Sequence, residues 1–166
     1  GGARGIKMMI WEPSQLDPIE GIRFRGYSIP ELKALLPKGA NGKEPRPEGL
    51  FWLMLVGEIP TQEEVDWLTS EWIRRSEVPA HTFQVLDGLP TDTHPMTQFV
   101  TAISSMQPDS QLASRYVFGM GKEEYWDATY EDVMNLIARL PHVAAYIYRR
   151  SYHNGAHIAA DSSLDW

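Results

Sequence analysis

Cysteine is absent from the 166-residue chain, so the chain cannot form a disulfide, present a thiolate nucleophile or bind a metal through sulfur. This absence excludes the disulfide-stabilised secreted scaffolds. Long apolar runs are also missing: none approaches the roughly 20 residues that a membrane-spanning helix needs, and we expect no membrane partner. Basic residues are few, with 15 Lys and Arg against 22 Asp and Glu, a formal net charge of −7. Because nucleic-acid binding requires clustered cations, we expect no nucleic-acid partner.

The residues that are present suit one globular domain, since 43% of them are apolar and 22% are charged. Only the N-terminal part resembles strands and turns, with strand patterns at Ile6–Trp11 and Ile22–Tyr27 and turn signals at Pro13-Ser14 and Asp17-Pro18. We therefore predict a mainly α fold, with a small β-hairpin in residues 1–27 and a helical part in residues 28–166. Because no linker or repeat divides the chain, both parts are assigned to a single domain.

The first helix is predicted from a capping box. Ser28 and Glu31 have the required spacing, at which each side chain accepts a hydrogen bond from the other residue's backbone N–H. The helix that follows is expected to bury Leu32, Leu35 and Leu36.

A second capping box, formed by Thr61 and Glu64, gives the clearest helix of the chain. Its expected apolar face contains Val65, Leu68, Trp72 and Ile73. Further helices are predicted from Pro47 to Gly57, Pro79 to Leu86, after Pro95, from Ser110 to Phe118, and around Val133 to Tyr148 with a kink at Pro141.

Two of the five histidines, His153 and His157, are four residues apart, a spacing that can bind zinc on a helix. Asn154-Gly155 breaks the helix between them, however, and no third ligand is evident. We therefore expect no metal site in the chain.

Other polar clusters give weak signals. Asp127, Glu131 and Asp132 suit the positive start of the long helix better than a paired-carboxylate active site. The string Gly119-Met-Gly121-Lys122 lacks the full phosphate-loop pattern, although a Gly-Lys helix start can hold an anion. These residues alone therefore predict no reaction.

Ordered strings of residues occur along the whole chain, and the longest is Leu16-Asp-Pro-Ile-Glu-Gly-Ile-Arg-Phe-Arg-Gly-Tyr-Ser-Ile-Pro30. It is followed by Pro47-Glu-Gly-Leu-Phe-Trp-Leu53, Gly57-Glu-Ile-Pro-Thr61, Leu89-Pro-Thr91, His94-Pro-Met96, Tyr130-Glu-Asp132 and Leu164-Asp-Trp166. In content, order and spacing these strings resemble citrate synthase, most closely the mitochondrial type. The resemblance covers essentially the whole chain but less than half of that enzyme. It implies the N-terminal part of the family's multi-helical large domain.

The resemblance implies two kinds of contact for this segment. In citrate synthases the Arg of an Arg-Gly-hydrophobic-Lys string near the hairpin contacts coenzyme A phosphates, which gives that role to Arg4. A second such family Arg corresponds to Lys122, and since lysine lacks the bidentate guanidinium geometry, we expect a weaker or differently oriented contact. The helix with the small residues Ala102, Ser104 and Ser105 belongs to the pair that forms the family's subunit interface, so a homodimer is implied.

The reaction that the resemblance implies is that of citrate (Si)-synthase, a transferase of the tricarboxylic acid cycle that converts an acyl group to an alkyl group on transfer. Acetyl-CoA, oxaloacetate and water give citrate and CoA in the mitochondrial matrix, and no further cofactor is expected. The family's catalytic His, Asp and carboxylate-binding Arg belong to later segments, and no histidine of this chain matches them. We therefore expect a truncated or processed chain with no catalytic residue, inactive by itself.

Two alternatives stay open. The first is a catalytically inactive, citrate-synthase-like assembly or interaction module, which would need a partner to cover its exposed apolar face. The second is 2-methylcitrate synthase, which uses propionyl-CoA and would differ in active-site residues outside this chain.

Overall fold

The computed structural model describes residues 13–39 and 42–161. They form two compact units, one ending at Leu68 and one beginning at Thr69. The strands are β1 Ser14–Asp17, β2 Gly21–Phe24 and β3 Tyr27–Ser28. The helices are α1 Ile29–Leu35, α2 Pro47–Val56, α3 Gln62–Arg75, α4 Ala80–Asp87, α5 Pro95–Ser105, α6 Gln111–Val117 and α7 Tyr125–Tyr152, with 3-10 turns at Gln107–Asp109 and Lys122–Glu124. The predicted mainly α fold is confirmed, while the strand predicted at Ile6–Trp11 lies outside the described residues.

The small sheet is an antiparallel meander in the order β1-β2-β3. Asp17 sets its first turn, because Asp17 Oδ1 accepts hydrogen bonds from the backbone N–H groups of Ile19 and Glu20, both at 2.8 Å. The turn predicted after Asp17 is thus confirmed. The turn predicted at Ser14 is wrong, because Ser14 begins β1 and pairs with Phe24. The polar composition of β1 carries no strand signal, and its pairing with β2 defines it instead.

Helix α1 begins with the predicted capping box. The backbone N–H of Ser28 donates to Glu31 Oε2 at 2.7 Å, and the N–H of Glu31 donates to Ser28 Oγ at 3.4 Å. Leu32 and Leu36 are buried in the core of the first unit. Leu35 is 51% exposed, so its predicted burial is wrong. Three residues correspond to about −60° around a helix and four to about +40°, so Leu35 and Leu36 lie on opposite sides of Leu32, and the core covers the side of Leu36.

Helix α3 also begins as predicted. The backbone N–H of Thr61 donates to Glu64 Oε2 at 2.7 Å, and the N–H of Glu64 donates to Thr61 Oγ1 at 3.2 Å. Ile73, at the edge of the predicted apolar face, is 38% exposed. The other members of that face are buried, namely Val65, Leu68 and Trp72.

The core of the second unit involves α4, α5 and α7, with buried side chains at Val78, Leu86, Ala102, Met106, Val143 and Ile147. Two of the small residues of α5 belong to this packing: Ala102 is fully buried, and Ser105 Oγ lies 3.1 Å from Thr82 Oγ1 of α4. The third, Ser104, is exposed. Pro141 lies inside α7, and the kink expected there stays a prediction. Within the described part of the chain, no helix combines the length and the hydropathy that crossing a membrane demands.

Candidate functional site

Lys122 is the first residue of the 3-10 turn Lys122–Glu124, in the connection between α6 and α7. We call this connection the corner. Its side chain is exposed, and among the described residues no carboxylate forms an ion pair with it. Arg4, the other predicted coenzyme A contact, lies outside the described residues. The structure therefore locates one of the two predicted cations, as a solvent-accessible ammonium group.

Carboxylates surround the backbone next to Lys122. The N–H of Gly121 donates to Glu124 Oε2 at 3.2 Å. The Glu123 carboxylate lies against the same glycine, since a Cβ placed on Gly121 would collide with Glu123 Oε1. An anion at this corner would therefore meet the Lys122 ammonium, because the Gly121 N–H already has an acceptor within the turn.

Arg115 connects α6 to the start of α7. Its Nη1 donates to Asp127 Oδ2 at 2.8 Å, and its Nη2 donates to Glu124 Oε1 at 3.3 Å. The hydrogen bond to Asp127 is the main cause that raises the pKa of Arg115. Because two carboxylates neutralise this guanidinium, Arg115 fixes the corner and adds little positive potential beside Lys122.

The three acidic residues at the start of α7 have three different partners. Asp127 pairs with Arg115, Glu131 pairs with Arg75 of α3 at 2.6 Å, and Asp132 Oδ1 accepts the first backbone N–H of α6 at 2.6 Å. This separation of partners argues against a paired-carboxylate active site. Each partner is 12 or more residues away in the chain, so local sequence patterns could not reveal these contacts.

Three histidines have contacts that are typical of structural roles. His94 Nδ1 accepts a backbone N–H at the start of α5 at 3.2 Å, and His81 Nε2 lies 2.8 Å from a carbonyl oxygen of α5. The ring of His157 stacks on Tyr146, with 3.9 Å between the ring centroids. Among residues 13–39 and 42–161, no three His, Asp or Glu side chains form a group that could hold a metal ion.

An apolar strip of exposed side chains extends along α5 and α7. Met96 and Val100 of α5 are each 59% exposed, and Tyr148 and Tyr152 of α7 are 54% and 65% exposed. We call these four residues the α5–α7 strip. Three of them, Met96, Tyr148 and Tyr152, line a groove together with Pro95, Phe99, Ala144 and Ile147. Contiguous apolar surface of this kind is typical of protein–protein contacts. Of the small residues of α5, Ala102 and Ser105 pack inside the unit, whereas Ser104 is exposed.

Comparison with known proteins gives a match over nearly the whole chain. Residues 2–166 match the family model described as "Citrate synthase, C-terminal domain". The chain is 53% identical over 167 aligned positions to the mitochondrial citrate synthase of Kajikia audax, and equally identical to that of Xiphias gladius. Each alignment covers all of this chain and 36% of the relative, so the chain spans about a third of the length of these proteins.

Solved structures show the same fold. The citrate synthase of Pyrobaculum aerophilum matches 99% of this chain and 39% of its own, with a TM-score of 0.76 and 23% identity. That of Thermotoga maritima matches 99% of this chain and 38% of its own, with a TM-score of 0.65 and 19% identity.

Proposed function

Because the chain belongs to the citrate synthase family, we propose that it is a segment of an enzyme that condenses acetyl-CoA with oxaloacetate and water, giving citrate and CoA. The observation that carries this proposal is the 53% identity to mitochondrial citrate synthases over all of the chain. Such an enzyme has the activity of a citrate (Si)-synthase. The names of these relatives favour the mitochondrion as its location, and the matrix is the compartment that we propose.

The segment's role in this enzyme is to provide scaffold and contact surfaces. Among the described residues, the acidic residues of α7 are occupied by tertiary contacts. Asp132, which accepts from the Ser110 hydroxyl, also accepts two backbone N–H groups at the start of α6. Proton abstraction from the acetyl methyl group needs a positioned base and donors for the developing oxyanion. We assign those groups to parts of the enzyme outside this segment.

The test is thiol release from acyl-CoA in the presence of oxaloacetate. Full-length protein should release CoA from acetyl-CoA faster than from propionyl-CoA, and the 166-residue segment should release none. Faster turnover of propionyl-CoA would favour 2-methylcitrate synthase instead. Absence of turnover with both substrates would favour the inactive interaction module.

Lys122 is proposed to contact a phosphate of coenzyme A, with Arg4 as a second cation. Support comes from its exposure and from the absence of an ion pair to it among the described carboxylates. K122A should weaken CoA binding in the full-length protein, by about threefold for a solvent-exposed charge contact. K122R should strengthen it, because a guanidinium binds phosphate oxygens in a bidentate manner. Isothermal titration of CoA measures both changes.

The α5–α7 strip is proposed as part of a homodimer interface, with a second copy of the chain as its occupant. Continuity of exposed apolar side chains on two helices supports this surface. V100E should convert the full-length protein to monomers, because it would place a charge in a desolvated contact. V117E is the matched control, since Val117 is 81% exposed on α6, outside the strip. Light scattering after gel filtration that shows V100E still dimeric would contradict the assignment.

A further inference from the structure

We propose that Glu123 is an affinity-determining residue that weakens phosphate binding at Lys122. This inference rests on the proposed coenzyme A contact of Lys122. It concerns the affinity of that contact, through a carboxylate that lies against the backbone of Gly121, the residue before Lys122.

The geometry of Gly121 carries the inference. The Glu123 side chain folds back over this glycine, and a Cβ on Gly121 would collide with Glu123 Oε1. Gly121 has φ −69°, an ordinary value for any residue, so its missing side chain matters here through space and not through backbone freedom. Glycine therefore lets the carboxylate lie directly against the backbone that precedes Lys122.

The neighbouring carboxylate is held differently. Glu124 accepts the Gly121 N–H and also pairs with Arg115, so its charge is partly compensated. Within the described part of the chain, the Glu123 carboxylate forms no ion pair or hydrogen bond. Of the two acidic residues in the turn, Glu123 is thus the one whose negative charge is less compensated by partners, and it should repel an approaching phosphate more strongly.

The size of the effect follows from the exposure of the turn. A carboxylate and a phosphate within several ångströms of each other repel in water at physiological salt, and neutralising one of them should change affinity by about threefold. The same repulsion should weaken as salt increases, because the Debye length falls.

The experiment measures the dissociation constant of CoA for full-length protein by isothermal titration. E123Q should bind CoA about threefold more tightly than the unsubstituted protein at low salt, with a smaller gain at high salt. E77Q is the matched control, because Glu77 is an exposed glutamate of the same unit, outside the turn. It should leave the dissociation constant unchanged. A second variant, G121A, keeps both charges but forces the Glu123 carboxylate away from its position, and it should also tighten binding.

The K122A variant separates the two proposals. Weaker CoA binding in K122A together with tighter binding in E123Q supports both. Weaker binding in K122A with no change in E123Q overturns the role of Glu123 and leaves the Lys122 contact standing. No change in K122A overturns the proposed contact and the inference that rests on it. An equal gain in E77Q and E123Q would also overturn the inference, since net charge alone would then account for it.

Discussion

Arg75 offers the sharpest test of how the second unit is held together. Its side chain is only 13% exposed, and it connects the end of α3 to α7. Nη1 donates to Glu131 Oε2 at 2.6 Å and to Asn135 Oδ1 at 2.9 Å, and Nε donates to Glu71 Oε2 at 3.2 Å. The hydrogen bond to Glu131 is the main cause that raises the pKa of Arg75. The guanidinium therefore stays charged. R75A would remove the donor of Glu131 Oε2 and Asn135 Oδ1, whereas Glu71 Oε2 would keep its hydrogen bond from Arg74.

The expected cost of R75A is about 2–3 kcal/mol of unfolding free energy. Removing one partner of a fully buried pair costs about 3–5 kcal/mol. Glu131 is 37% exposed and can be rehydrated in the variant, so we expect a cost at or below the lower end of that range. R74A is the matched control. Arg74 is the adjacent residue and pairs with the same Glu71, but its side chain is 63% exposed, which predicts a loss of at most about 1 kcal/mol.

Urea unfolding of the full-length protein, at one fixed protein concentration, measures both losses. R75A should lower the midpoint clearly more than R74A, with the same slope. Equal midpoints for the two variants would refute the reasoning, because partial burial of Arg75 would then contribute nothing to stability.

Two further predictions concern pH and helix capping. Tyr146 Oη donates to Asp87 Oδ1 at 2.8 Å, and burial with this hydrogen bond raises the pKa of Tyr146 from 10.0 to about 12. The stability due to Tyr146 should thus be complete below pH 10 and be lost as the pH rises towards about 12. Phenolate absorbance measures this titration. The prediction would be contradicted if every tyrosine titrated near pH 10 and the Y146F variant gave the same curve shape. T61A should cost about 1 kcal/mol in urea unfolding, because it removes the acceptor for the Glu64 N–H at the start of α3, and an unchanged midpoint would show that the cap is dispensable.

Helix starts were predictable from the sequence because their causes are local. The two capping boxes lie within four residues each, and the structure contains both sets of hydrogen bonds at Ser28 and Thr61. The end of α2 was equally predictable from the sequence, because Gly57 has φ 93°, a left-handed conformation that favours glycine. Sequence strings also predicted the family, which the comparisons confirm.

Contacts between distant elements were not predictable in this way. The burial of Leu35 was predicted wrongly, because the spacing of apolar residues does not indicate which side of a short helix the core covers. The partners of Asp132 and Glu131 lie on other helices, and no local pattern encodes them. The position of the Glu123 carboxylate over Gly121 likewise depends on side-chain geometry within the turn.

The most direct test of the central claim is the fate of the acetyl methyl carbon. Full-length protein would be incubated with oxaloacetate and acetyl-CoA that carries an isotopic label in the methyl group, and the products would be followed by NMR. The proposed condensation predicts that the label appears in a methylene group of citrate as CoA is released. Label that stays in acetyl-CoA, or that is released as acetate, would contradict the assignment of this chain to an active citrate synthase.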